Sequence, residues 1–126
     1  MTRSRSSARA AGTRFESSVA RYLADVLADD RVERRARTGA KDRGDIAGVR
    51  APGGGRVVLE CKDVARLNLA GWLAEAEVER GNDDALVGLV VHKRRGTTDP
   101  ASQYVTCTLA DLVALLAGAR PAGGER

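Results

Sequence analysis

Aromatic side chains are scarce in this chain: one Phe, one Trp and two Tyr among 126 residues. Any core must therefore be built mainly from aliphatic residues, and the 43% apolar content suffices for one modest domain. Cysteine is equally thin. Cys61 and Cys107 are the only two, His92 is the only histidine, and they form no zinc-type Cys/His spacing. The plain reading is a cytoplasmic protein whose two reduced thiols are small core fillers. A lone His92 is expected at the surface or in a capping role rather than as a general base. No run approaches the roughly 18 apolar residues of a membrane span. The basic N-terminus lacks the apolar stretch of a secretory signal, so no membrane partner is expected. Internal repeats and interdomain linkers are absent as well.

Charge, by contrast, is plentiful. Lys and Arg number 21 against 17 Asp and Glu, for a net charge of +4 and a pI near 9.6. That balance tilts the choice of partner toward a polyanion, though mildly. Residues 1–12 are expected to be a disordered basic arm, which either touches DNA or only solubilises the chain. Residues 13–118 form the domain, and residues 119–126 a second disordered tail.

Hydrophobic spacing predicts a first helix from about Thr13 to Ala28, with Phe15, Val19, Tyr22, Leu23, Val26 and Leu27 on one face. A weak strand is expected over 31–37, followed by a polar loop over 38–43. Asn68 and Gly81 bracket a second helix. Leu69, Trp72, Leu73, Ala76 and Arg80 share one side of it, while Glu75, Glu77 and Glu79 mostly face solvent. Trp72 is expected to anchor the core or a dimer interface. Residues 85–91 read as a strand covered on both faces, and 103–107 as a short strand. Thr108 caps a last helix, with Asp111 three residues on. The apolar side of that helix is Leu109, Leu112, Val113, Leu115 and Leu116, and Gly118 stops it. The expected fold is α/β, a mixed sheet flanked by helices in the order α-β-β-β-α-β-β-α.

The chemistry is concentrated in a hairpin. Residues 43–49 lead into Ala51-Pro52-Gly53-Gly54-Gly55, and the chain returns over 56–62. A loop from Ala51 to Gly54 places Asp45 directly across from Glu60, with Lys62 next on the same face. Ile46, Val57, Leu59 and Cys61 then share the opposite, apolar face. Like charges opposed in a sheet are unfavourable, and a bound cation is the usual compensation. Asp45 and Glu60 can hold one or two hard divalent ions, with the main-chain carbonyl of Cys61 as a further ligand. A metal of this kind lowers the pKa of bound water and polarises a phosphoryl oxygen. Lys62 can orient the water or neutralise charge developing on the phosphate. This chemistry suits phosphodiester hydrolysis.

The pattern Arg14-Phe15-Glu16, then Gly44-Asp45-Ile46, then Leu59-Glu60-Cys61-Lys62, and finally Val91-His92-Lys93-Arg94-Arg95-Gly96 resembles the PD-(D/E)XK nuclease superfamily. Within it, the chain resembles the archaeal-type and phage Holliday junction resolvases. The likeness runs from about Thr13 to Leu116. It implies a restriction-endonuclease-like fold and a Mg²⁺-dependent endonuclease, with Mn²⁺ as a substitute, acting on branched DNA in recombination or repair, usually as a homodimer. Carried over by motif, Asp45 and Glu60 are metal ligands, Lys62 is the catalytic lysine, and Glu16 matches the helix glutamate that completes the metal site. The chain departs from the pattern at Gly44, where the name-giving motif has proline. It also lacks the glutamine several relatives carry in the second helix, where Glu75 and Glu77 stand instead.

Lys93, Arg94 and Arg95 end the covered strand and are expected to contact phosphates. Lys41 and Arg43 flank the Asp45 loop and are further DNA-contact candidates. Two other functions fit the same residues: a related nuclease that nicks, repairs or restricts other DNA, and a catalytically inert DNA-binding scaffold on the same fold.

Overall fold

The computed structural model describes residues 4–36 and 42–121. Lys41 and the outer ends of both expected tails lie outside the described residues. The first helix, α1, spans Arg5–Val26 and so begins well before Thr13. Ser4 caps it, its hydroxyl accepting a hydrogen bond from the Ser7 N–H at 3.2 Å. The expected disordered arm of residues 1–12 is thereby corrected from Arg5 onward: an Ala-rich segment behind a serine cap is a good helix former even without an apolar stripe.

Two short strands follow, β1 (Glu33–Arg34) and β2 (Ile46–Ala47), paired antiparallel to each other. They form their own two-stranded sheet. The three-stranded sheet holds β3 (Val57–Lys62), β4 (Val87–His92) and β5 (Tyr104–Thr106) in that order. Strand β4 runs parallel to β3, with Glu60 beside Val90 and Lys62 beside His92, and antiparallel to β5. Helix α2 (Leu69–Asp83) crosses between β3 and β4. It runs past Gly81 and stops at Asp84, which takes the left-handed conformation. Helix α3 (Leu109–Ala117) closes the domain, capped by Thr108 and ended by Gly118 as the sequence suggests. The chain is thus a mixed α/β protein. None of its described helices is long and apolar enough to cross a membrane.

The faces of β3 alternate as the hairpin reading requires. Ile46, Val57, Leu59 and Cys61 lie in one core with Phe15 and Val19 of α1. Val90 packs on the other side against Trp72 and Ala76 of α2, and Glu60 and Lys62 share that side by their pairing with Val90 and His92.

The hairpin itself differs from the expected one. Its bridge joins Arg50 to Arg56, and the Ala51 N–H donates to the Gly55 carbonyl, so the loop is Ala51–Gly55, one residue longer. Asp45 is therefore not the ladder partner of Glu60. Its N–H donates to the Leu59 carbonyl, and its own carbonyl accepts from the Arg35 N–H. Gly48 explains the divergence. It sits at φ +87°, and a Cβ there would run into the Arg31 carbonyl oxygen, so only glycine lets β2 turn away from β3 toward β1.

One further expectation fails on burial. His92 is buried rather than superficial. Its ring lies 5.5 Å from Trp72 and 5.7 Å from Tyr104, and its Nε2 is 2.8 Å from Thr106 Oγ1. Desolvation holds its pKa below the ordinary value. The apolar side of α3 is mostly uncovered: Leu109 is 75% exposed and Leu116 80%, and only Ala114 and Asp111 of this helix are buried. Asp111 does not complete a capping box. Its carboxylate accepts from the Gly88 N–H at 3.0 Å and from Arg120 at 2.9 Å.

Candidate active site

Strand β3 carries Glu60 and Lys62 two residues apart on the α2 side of the sheet, and the loop before β2 brings Asp45 alongside. Asp45 Oδ2 accepts from the Cys61 N–H at 2.7 Å, which fixes the carboxylate at the edge of the strand. Lys62 Nζ lies 3.2 Å from Glu60 Oε2, and 3.1 and 3.2 Å from the two carboxylate oxygens of Glu75. Asp45, Glu60 and Lys62 are therefore assembled, with Glu75 as an added partner of the lysine.

The electrostatics of the cluster follow from crowding. Burial raises the Asp45 carboxyl above its ordinary value, and the Cys61 N–H only partly offsets this. Burial, then the neighbouring Asp45 charge, push Glu60 up to about 7. Lys62 stays above its usual pKa, because Glu60 and Glu75 outweigh the burial that opposes its charge. The Cys61 thiol is pushed far up by burial and then by Asp45, so it stays protonated and only its main chain serves the site.

Glu16 faces the same side of the molecule as Asp45. The two line one cleft of about 420 Å³ with Arg9, Gly12, Thr13, Arg34 and Arg35. Glu16 Oε1 accepts from Arg34 Nε at 2.9 Å. The extension of α1 adds Arg9 to this wall, so the cleft joins carboxylates to arginines.

Two carboxylates missing from the sequence reading stand in the site. Glu79, expected to face solvent, is 3% exposed, and Glu60 is 4% exposed. Asp42, Glu60 and Glu79 each present an oxygen within 4.8 Å of the others. Burial, then a hydrogen bond to Glu60, push Glu79 up to about 10. Spacing offered the signal, since Glu79 stands three residues after Ala76 and seven after Trp72, on the buried stripe of α2.

The basic candidates are engaged in local structure. Lys93 Nζ donates to the Thr97 carbonyl and, at 3.0 Å, to the Arg94 carbonyl. Arg95 pairs with Asp63 at 3.0 Å and donates to the Val64 carbonyl at 2.6 Å. The Arg94 guanidinium lies 5.9 Å over the exposed Tyr104 ring. Arg43 approaches Asp83 at 4.0 Å and is more than half exposed. Comparisons with protein-family models, with curated proteins and with solved structures find no match to this chain.

Proposed function

We propose that this protein is a metal-dependent, structure-selective DNA endonuclease of the PD-(D/E)XK type, acting as a Holliday junction resolvase. The observation that carries the reading is the assembly of Asp45, Glu60 and Lys62 at one end of β3, beside a cleft that holds Glu16 and three arginines.

The donor set fits a hard divalent cation. The buried Glu60 carboxylate is crowded by Asp45 and Glu79, and carboxylate oxygens are what Mg²⁺ prefers. Asp45, Glu60 and the Cys61 carbonyl would hold Mg²⁺ or Mn²⁺, with Glu16 across the cleft. When bound, such an ion supplies Lewis-acid polarisation of the phosphate and a more acidic water. The chain's own residues do the rest. The Cys61 N–H orients Asp45. Lys62, kept charged by Glu60 and Glu75, offers a cation to the oxygen on which charge develops. Arg9, Arg34 and Arg35 present guanidinium groups in the same cleft, where a phosphodiester backbone is attracted. Two symmetric nicks across a four-way junction need two such sites related by a two-fold axis, and a homodimer is the simplest source.

The test is cleavage of a synthetic immobile four-way junction, with and without Mg²⁺, beside linear duplex of the same sequence. Paired nicks in the junction alone, dependent on metal, are the expected result. Equal cutting of duplex keeps the nuclease and discards branch selectivity. Tight metal-independent binding without cutting replaces the enzyme with a DNA-binding scaffold.

A further inference from the structure

We propose that the outer face of α3 is where two copies of this chain pair, the two helices lying antiparallel across a two-fold axis. The proposal deepens the nuclease reading and rests on it for the need of two active sites, while the contact itself is a separate claim about α3.

Helix α3 reverses the usual arrangement of a surface helix, which lays its apolar stripe on the core and turns its polar side to water. The side that meets the sheet is held by Ala114 and by Asp111, whose carboxylate accepts from the Gly88 N–H and from Arg120. Leu109, Leu112, Val113 and Leu116 recur at i, i+3, i+4 and i+7, which sets them in one stripe on the opposite side. They are 75%, 42%, 41% and 80% exposed. The described residues leave this stripe open to solvent.

Charge, symmetry and area together select a second copy as the occupant. Asp111 is the only charged residue of α3, and it is buried, so the stripe offers nothing to a charged partner. Nor does α3 carry the Lys and Arg that flank a helix lying on a membrane surface. The stripe is symmetric about the midpoint between Leu112 and Val113. A second α3 laid antiparallel therefore sets Leu109 against Leu116 of the other copy, and Leu112 against its Val113. The same patch meets itself, as an isologous two-fold contact requires. Val105 of β5, the outer strand of its sheet, is 59% exposed and shares an apolar groove with Leu115 of α3, which widens the face. The stripe and Val105 leave on the order of 500 Å² of apolar side chain in water, and pairing two such faces removes about 1,000 Å², enough for a specific interface.

The test is sedimentation velocity of the full chain from about 1 µM to about 100 µM, the range in which an interface of this size dissociates, together with junction cleavage. The variants are Leu109→Glu and Leu116→Lys. Both positions are exposed, and each new charge suits its end of the helix, so the fold is kept. Wild type is expected at twice the chain mass of 13.3 kDa. Each variant alone is expected to dimerise more than about tenfold more weakly, and to replace paired nicks in the junction with single ones. An equimolar mixture of the two is expected to dimerise again. In the mixed pair the introduced carboxylate lies opposite the introduced ammonium, and the native Leu109 and Leu116 still meet at the other end. If either variant lacks the native circular dichroism spectrum, the other decides alone. A wild type that stays monomeric at about 100 µM, variants that dimerise as wild type does, or a mixture that pairs no better than its components overturns the α3 contact. Metal-dependent junction cleavage by wild type then still upholds the nuclease reading. A dimer broken by each variant and restored by mixing, in a protein that cuts no junction, keeps the contact and overturns the nuclease reading.

Discussion

Asp45 Oδ2 accepts a 2.7 Å hydrogen bond from the backbone N–H of Cys61, so the carboxylate is positioned by the strand that also carries Glu60 and Lys62. Asp45→Asn keeps an oxygen acceptor for that N–H and removes only the charge. The variant should therefore fold as stably as wild type, yet cleave the junction about 100-fold more slowly or worse, the effect of losing roughly 3 kcal/mol of transition-state stabilisation at a metal. Asp45→Ala leaves the Cys61 N–H without its acceptor and should lose, in addition, about 1–3 kcal/mol of stability. Denaturant melts beside cleavage rates separate the two effects. A D45N protein that cuts at the wild-type rate removes Asp45 from the site.

The stability of the metal-free protein should fall as pH rises. Glu60 is raised from 4.5 to about 7 and Glu79 from 4.5 to about 10 in the fold. The folded state therefore holds protons that the unfolded chain has released, and stability declines with increasing pH wherever that is so. Both groups contribute fully below about 4.5; the Glu60 contribution fades up to about 7, and the Glu79 contribution up to about 10. Thermal melts in EDTA between pH 5 and pH 9 should show a steadily falling Tm. Glu79→Gln should flatten the slope above pH 7. A Tm that stays level across this range would show that neither glutamate is protonated in the fold.

Much of this was legible in the sequence, and the failures have local causes. The period-2 pattern of 56–62 reported the two faces of β3 correctly, because alternation in a strand depends only on neighbouring residues. Register depends on the turn, and a loop one residue longer than assumed, with a bend at Gly48, moved Asp45 off the ladder while keeping it beside Glu60. Glu79 was assigned to solvent on its charge, although its spacing from Trp72 and Ala76 put it on the buried stripe. Here its place on the buried stripe of α2 overrode the usual exposure of glutamate. In α3 the periodicity was legible too, and Leu109 and Leu116 on its apolar side face outward.

Gly88 sets how closely α2 can approach the sheet. A Cβ built there would lie 2.6 Å from the Ala76 carbonyl oxygen, on the helix that carries Glu79 three residues later. Gly88→Ala should therefore push α2 away from β4 and cost about 1–3 kcal/mol, as overpacking of a close contact does. Urea unfolding should show a lower midpoint with an unchanged slope. Because the displaced helix holds one wall of the acidic cluster, junction cleavage by the folded fraction should fall too. Full stability in the variant would mean that the helix can shift at no cost.

Lys62 sits between a buried carboxylate and an exposed one, and the two should respond differently to mutation. Glu75 is about half exposed, so its ion pair is screened and contributes roughly 0.5 kcal/mol or less to stability. Glu75→Gln should leave the melting temperature almost unchanged and alter cleavage by no more than several-fold, since Lys62 retains Glu60 at 3.2 Å. Lys62→Gln keeps a polar side chain beside Glu60 but removes the cation from the reacting phosphate. It should lower the cleavage rate about 100-fold, the size of effect expected from deleting one electrostatic donor at a transition state. Lys62→Arg should not restore the rate, because a planar guanidinium cannot take the place of a compact ammonium between two carboxylates. Single-turnover cleavage of the four-way junction by the three variants is the measurement. If Glu75→Gln loses as much as Lys62→Gln, Glu75 is part of the catalytic machinery and the lysine does not act alone.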